Sequence, residues 1–425
     1  MSKTASEILI KNGTLVIGDK LEKKDLLIKG DKIEKIGAQL TASKTAKVID
    51  ASDLLVMAGF IDMHCHLREP GASHKEDIES GCLAAAKGGF TTVCCMPNTK
   101  PVLDSVPLIR YILTRSSEVK GAKVLPIGAI SKASEGKELA SIKSMADAGA
   151  IAFSDDGLPV ISGGLMKLAL EYADTFGLLL ISHAEDKSIA GDGVVNDGYN
   201  ASVAGLKGIC RVAEESMTAR DILLAEALNS KVHIAHVSTK GAVQLIREAK
   251  ARGVKVTAET CPHYFSATDS LILDYNTNAK VNPPLREESD RLAIIQGLKD
   301  GTIDAIATDH APHHADEKAQ EFNLAPFGIS GLETAFSLSY THLVKPGHIN
   351  INALSKFLTA NPARILNLKN YELTTGATAD ITIIDAKAEY KINAKEFASK
   401  GKNTPFDGDS VTGAVAFTII DGEIN

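Results

Sequence analysis

Two histidines two positions apart, His64 and His66, sit in the stretch Ile61-Asp62-Met63-His64-Cys65-His66-Leu67-Arg68, just past an apolar run from Leu54 to Phe60. At the end of a buried strand, side chains two apart face the same way, so both imidazoles converge on one point. That is what a metal ion needs. Cys65, between them, is expected to face away and pack. One of Asp155 or Asp156, then His183, His236 and Asp309, extend the candidate set. Four histidines and two carboxylates exceed the needs of one tetrahedral zinc and suit two metals sharing a carboxylate. Two divalent ions make a bridging water acidic and polarise a carbonyl, which is hydrolytic chemistry. Asp309 has two possible roles, ligand alone or ligand and proton carrier to a leaving nitrogen. The sequence does not separate Asp155 from Asp156.

The substrate side offers a cation and amides. Arg68, two residues past His66, shares its face if the strand continues, and a guanidinium there can grip a carboxylate in bidentate fashion. Asn98, Asn282 and His313 can add hydrogen bonds, although each taken alone reads as a loop residue.

Elements must bring these residues together. Eight apolar runs read as strands: 59–64, 91–95, 124–129, 150–154, 178–183, 232–236, 254–259 and 303–309. Helix-period segments lie between them, among them 81–89, 166–176, 214–229 and 241–252. Alternating strand and helix means a parallel sheet. Eight repeats in about 300 residues suit a (β/α)8 barrel. The doubly wound alternative wants a Gly-rich loop after its first strand, and none is present. The candidates lie at or just past the C-terminal ends of these runs, the face where barrels carry their sites. The Gly/Asn/Asp-rich stretch 191–208 reads as a long loop on that face, and 313–327 as either a lid or a surface loop.

Outside the barrel, hairpin grammar governs both ends of the chain. Asn12-Gly13, Gly18-Asp19 and Gly30-Asp31 read as turns between short apolar runs, and strands return at 381–384 and 411–420. Neither piece is large enough to stand alone. The expected organisation is an N-terminal part (1–58) and a C-terminal part (366–425) of one small β-sandwich, flanking a barrel (59–365). A chain of 425 residues accommodates this. Net charge of -7 argues against nucleic acid or an anionic membrane as partner. No apolar run approaches a membrane span, and Met1–Glu7 is polar, without a leader's apolar core. Six scattered cysteines without a C-x-x-C read as reduced thiols of a cytoplasmic protein.

At these residues the chain resembles the dihydroorotases. Asp62-Met63-His64-Cys65-His66-Leu67-Arg68-Glu69-Pro70 resembles their first signature, and Ala307-Thr308-Asp309-His310-Ala311-Pro312-His313, with Lys318 after it, the second. Met96-Pro97-Asn98-Thr99, Ser182-His183-Ala184-Glu185, His236-Val237-Ser238 and Thr359-Ala360-Asn361-Pro362-Ala363 also match, nearest to the bacterial class I members of the amidohydrolase superfamily. The resemblance implies a metal-dependent TIM barrel with a small β-sandwich and reversible hydrolysis of dihydroorotate to N-carbamoyl-aspartate in pyrimidine synthesis. It implies zinc, two ions per subunit, with His64 and His66 on one and His183 and His236 on the other. Asp156 aligns as the bridge, where many relatives carry a carboxylated lysine. Asp309 is implied as ligand and general acid/base. Arg68, Asn98 and His313 are implied to hold the substrate carboxylate, and Asn282 with the backbone at Phe327 and Gly328 to contact the ring. A homodimer and an association with aspartate transcarbamoylase are further expectations. A hydantoinase, dihydropyrimidinase or allantoinase is the enzymatic alternative, against which Arg68 and the missing lysine argue. A non-catalytic partner protein would have lost ligand histidines, and none is missing.

Overall fold

The computed structural model describes residues 6–425. Residues 1–5 of the polar stretch read above as lacking a leader's core lie outside the described residues. The chain begins as an antiparallel meander, β1 (Glu7–Ile17), β2 (Lys20–Lys29) and β3 (Lys32–Gly37). Gly18 and Gly30 take positive φ in the two-residue turns, as the sequence predicts. Asn12-Gly13 is not a turn. It lies inside β1 as a bulge, with Asn12 at φ 62 and its N–H on Asp25 Oδ1 at 2.9 Å. A Cβ at Gly13 would lie 2.6 Å from Val56 Cγ2, so this position needs glycine for close approach rather than for a reversal. The bulge divides β1 between two parallel partners. Ile8–Lys11 pairs with β4 (Lys47–Asp50), and Thr14–Leu15 with β5 (Leu55–Ala58).

One residue later the second layer begins. All eight expected runs contain strands, most of them shorter than the runs. They are β6 (Phe60–Cys65), β7 (Phe90–Cys95), β8 (Lys123–Gly128), β9 (Ala152–Phe153), β10 (Ile181–Ser182) and, after the short ribbon β11 (Val195–Asn196) and β12 (Gly208–Ile209), β13 (Val232–Ile234), β14 (Val256–Thr260) and β15 (Ala305–Ile306). They form two curled parallel sheets, β6-β7-β8-β9 and β10-β13-β14-β15. Parallel bridges at Phe153–Leu180 and Cys65–His310 connect the sheets on both sides. Ile61, Met63, Cys94, Ile127, Ala152, Ile181 and Ala305 meet in one apolar cluster with Ala363 and Leu366. A larger cluster lies between strands and helices. Phe60, fully buried there, contacts Phe90 edge-on and stacks on Phe336, and burying such a side chain stabilises by about 2–3 kcal/mol.

Helices at Ile78–Lys87, Gly163–Thr175, Val212–Leu228 and Lys240–Ala251 begin one to three residues before their expected starts. Thr239 shows why: its side chain caps the last of these by accepting from Ala242 N–H, ahead of the first buried residues, Ala242 and Val243. The stretch 191–208 is not a bare loop. It carries β11, part of β12 and a helix at Tyr199–Ala204, because Val194, Val195 and Ala201 bury against Tyr264 and Ile272.

The C-terminal strands β16 (Ile381–Lys391), β17 (Ser410–Ile420) and β18 (Glu423–Ile424) return to the first layer. β16 pairs antiparallel with β5, so strands from both termini share one eight-stranded sheet that branches at β1. Ile10, Leu26, Ile33 and Val56 share a core with Ile381, Ile383 and Ile419. No described helix is long and apolar enough to cross a membrane.

Candidate active site

β6 ends at Cys65, and from there the chain delivers two imidazoles to one place. His64 and His66 have ring centroids 5.3 Å apart, and Cys65 turns away to bond Cys94 O. Arg68 does not arrive by strand alternation. It takes φ 60, and the turn rather than the strand aims its guanidinium at the cavity. His236 (φ 35) and Asp309 (φ 46) share this left-handed backbone just past β13 and β15. Non-glycine residues adopt it rarely and at a cost of about 1–2 kcal/mol, a pattern concentrated at functional sites.

Asp156 lies between two histidine pairs. Its Oδ2 is 3.4 Å from His64 Nε2 and 3.5 Å from His66 Nε2. Its Oδ1 is 3.1 Å from His183 Nδ1 and 3.2 Å from His236 Nε2. Asp309 Oδ1 joins the first pair, 3.0 Å from His66 Nε2 and 3.5 Å from His64 Nε2. Asp155 points elsewhere, with Oδ1 accepting from the Ile130 and Ser131 N–H groups. This separates the two aspartates, which adjacent sequence positions could not.

The donor set fits cations. His64 Nδ1 faces Glu259 Oε1 at 2.9 Å, His66 Nδ1 faces Asn98 Oδ1 at 2.9 Å, and His183 Nε2 faces Glu185 Oε2 at 3.3 Å. If those outer nitrogens carry the protons, the inner ones present lone pairs to carboxylate oxygens. His64 Nε2 is buried without a hydrogen-bond partner, and His183 Nδ1 stands 2.8 Å from His236 Nε2. Ligands of a tetrahedral ion bound at about 2.0–2.1 Å stand roughly 3.3 Å apart. Three triplets among the described residues have separations open to a metal ion, His64/Asp156/His236, His64/His66/Asp309 and Cys261/His263/Asp309, and the first two draw on the histidines above. The alternative counter-charge is protons. Burial disfavours His64's charge, but Asp156 and Asp309 hold its pKa well above the ordinary value. Burial likewise opposes the charge on His183, yet Asp156 lifts its pKa to about 9.

A cavity of about 200 Å³ opens over this cluster, lined by Arg68, Asn98, Asn282, Phe327 and Gly328 among others. It is smaller than the roughly 300–1,000 Å³ of a drug-sized site and suits a small ring. Burial lowers the Arg68 pKa to about 10, leaving it charged at neutral pH. Its Nε donates to Pro312 O at 3.2 Å, and it has no ion pair among the described residues. His313 does not line the cavity but stands beside it, with Nε2 2.8 Å from Phe327 O and 3.3 Å from an Arg68 nitrogen. Burial and the charges of Arg68 and Lys75 push its pKa down to about 3, so it is neutral. Asn282 Nδ2 donates to Glu185 Oε2 at 3.2 Å.

Glu259 and Asn403 were missed in the sequence. Glu259 closes an expected strand run, and that position was its only signal. Asn403 had none. It reaches in from the C-terminal segment, where its Nδ2 donates to Ala311 O and Gly328 O and its Oδ1 accepts from His313 N–H. His310, next to Asp309, faces away toward Glu76 and the Gly331 N–H.

A family model described as dihydro-orotase-like matches residues 53–242. The dihydroorotase of Geotalea daltonii is 51% identical over 98% of each chain. That of Pelotomaculum thermopropionicum is 53% identical, again over 98% of both. The chain belongs to the dihydroorotase family. A dihydroorotase is a cyclic-amide hydrolase, and the solved structures it resembles agree in kind. An L-hydantoinase (dihydropyrimidinase) from Arthrobacter aurescens superposes with a TM-score of 0.88 at 26% identity, covering 98% of this chain and 95% of that one. For this chain, family and donor set both point to a metal cofactor.

Proposed function

We propose that the chain catalyses reversible hydrolysis of dihydroorotate to N-carbamoyl-L-aspartate, with the active-site residues in the following roles. His64, His66, Asp156 and Asp309 would hold one divalent ion, and Asp156, His183 and His236 a second. Zinc suits this nitrogen and carboxylate set. Such ions, when bound, acidify water and polarise an amide carbonyl. The protein's own part is to orient and to move a proton. Arg68 and Asn98 hold the substrate carboxylate, and His313, outside the cavity, stands 3.3 Å from the Arg68 guanidinium and supports it. Asn282 and the backbone at Phe327 and Gly328 hold the ring against the cluster. As water adds to the ring carbonyl carbon and the C–N bond breaks, Asp309 accepts the water's proton and delivers it to the departing nitrogen. Burial disfavours its charge, but His64 and His66 keep it well below the usual carboxylate range, so it starts ionised.

The observation that carries the substrate is Arg68, a guanidinium in the cavity without a carboxylate partner among the described residues. Hydantoins and dihydropyrimidines bring no carboxylate and would leave it unpaired on binding. The test is turnover of dihydroorotate, dihydrouracil and hydantoin by the zinc-replete protein. Ring opening of dihydroorotate alone is expected. Turnover of the neutral rings instead would overturn the substrate reading and leave the metal reading standing.

The finer architecture belongs to the same proposal. The connecting bridges and the shared inner cluster support a closed (β/α)8 barrel over about 59–365. The shared terminal core supports a small β-sandwich from 1–58 and 366–425. Asp156 in place of a lysine supports the bacterial class I subgroup, and six free cysteines a cytoplasmic enzyme. Leu168, Tyr172 and Phe176, exposed along one helix and its end, support a homodimer. Association with aspartate transcarbamoylase remains an expectation of the family.

A further inference from the structure

Two lysines behind the cavity wall have no part in the chemistry above. Lys318 and Lys280 are buried, 5% and 2% exposed, and neither forms an ion pair among the described residues. A buried ammonium without a carboxylate is costly unless its donors are otherwise satisfied. Lys318 satisfies all three on main-chain carbonyls: Pro326 O at 2.9 Å, Gly328 O at 3.2 Å and Lys280 O at 3.4 Å. Lys280 donates to Phe322 O at 2.7 Å and Asn323 O at 3.0 Å, and its third side faces the Phe327 ring, 4.7 Å from the centroid.

These carbonyls belong to two separate segments. One runs from Lys280 to Asn282, and the other from Phe322 to Gly328. Both present groups to the cavity, Asn282 from the first and Phe327 with Gly328 from the second. The Gly328 N–H also bonds Lys280 O at 2.9 Å. Lys318 therefore joins the two segments at the level of the residues that meet the ring.

We propose that Lys318, supported by Lys280, is a positioning residue that fuses these two segments into one fixed wall and so sets the affinity for the ring. This rests on the substrate contacts proposed above. A fixed wall acts on binding more than on the chemical step, so the loss falls on KM. It also makes Asn282 and Lys318 parts of one device, whereas Arg68 grips the other end of the substrate.

The test is steady-state kinetics with dihydroorotate on the zinc-replete full chain, for Lys318→Met and Lys318→Gln, each alone and combined with Asn282→Ala or Arg68→Ala. The single Lys318 variants are expected to raise KM about tenfold with kcat within threefold of the parent. Combined with Asn282→Ala the effect on KM should be less than multiplicative, and with Arg68→Ala multiplicative. Unchanged KM in a folded Lys318 variant overturns the proposal, as does a lowered melting temperature with both kinetic constants intact. If Lys318→Met does not fold, Lys318→Gln, which keeps two donors, is read by the same criteria, and failure of both to fold also overturns a role confined to positioning. An unaltered Asn282→Ala single variant would instead remove the ring-contact reading, and a parent inactive on dihydroorotate the substrate reading.

Discussion

Arg68 and Asp309 divide the work between recognition and proton transfer, and their variants should separate it. Arg68→Ala should raise KM for dihydroorotate by about 30- to 1,000-fold, the loss of a charge-assisted bidentate pair worth roughly 2–4 kcal/mol, with a smaller change in kcat. Arg68→Lys should rescue it poorly, because a point charge does not reproduce the fork. Asp309→Asn should lower kcat by about 10²–10⁴ while KM changes little. His313 gives a stability signature. Its folded pKa, about 3, lies below the ordinary histidine value of 6.5. The unfolded chain therefore binds more protons between these limits, and stability present above pH 6.5 is lost as pH falls toward 3. Urea denaturation at pH 7.5 and 5.0 should show a smaller acid loss in His313→Gln than in the parent. An equal loss would mean that another group dominates.

The elements determine which of these residues can meet. Histidines and aspartates closing apolar runs were readable because strand alternation and the parallel order bring those ends to one face. Asp155 against Asp156 was not readable, since the choice depends on the Ile130 and Ser131 N–H groups, which the adjacent sequence does not reveal. Arg68 reaches the cavity through a left-handed turn where a continuing strand was expected. Asn12-Gly13 looked like a hairpin because the local pattern carries no sign of Val56, whose approach makes it a bulge. Glu259 at the end of β14 orients His64 and touches His233 at 3.2 Å. Glu259→Gln should weaken metal affinity about 10- to 100-fold, measured by competition with a chelating dye, since such partners set ligand orientation.

At the scale of the molecule, the active site is closed by residues distant in sequence. Asn403 holds the Ala311 and Gly328 carbonyls, and Ser399 and Lys400 bond Glu76 below. A chain ending at residue 398 should lose activity even if the parallel sheets form, and Asn403→Ala should cost about 1–3 kcal/mol of stability, read from denaturant midpoints. At the first crossing between the two layers there is no linker. β5 belongs to the terminal sheet and β6 to the parallel one, and only Gly59 separates them, its N–H bonded to Asp380 O at 2.8 Å and its Cα facing Thr91 too closely for a side chain. At this crossing a single extended segment thus serves as the spine of both layers. Melting of one layer should therefore disrupt the other, and scanning calorimetry of the metal-loaded protein should record a single endotherm.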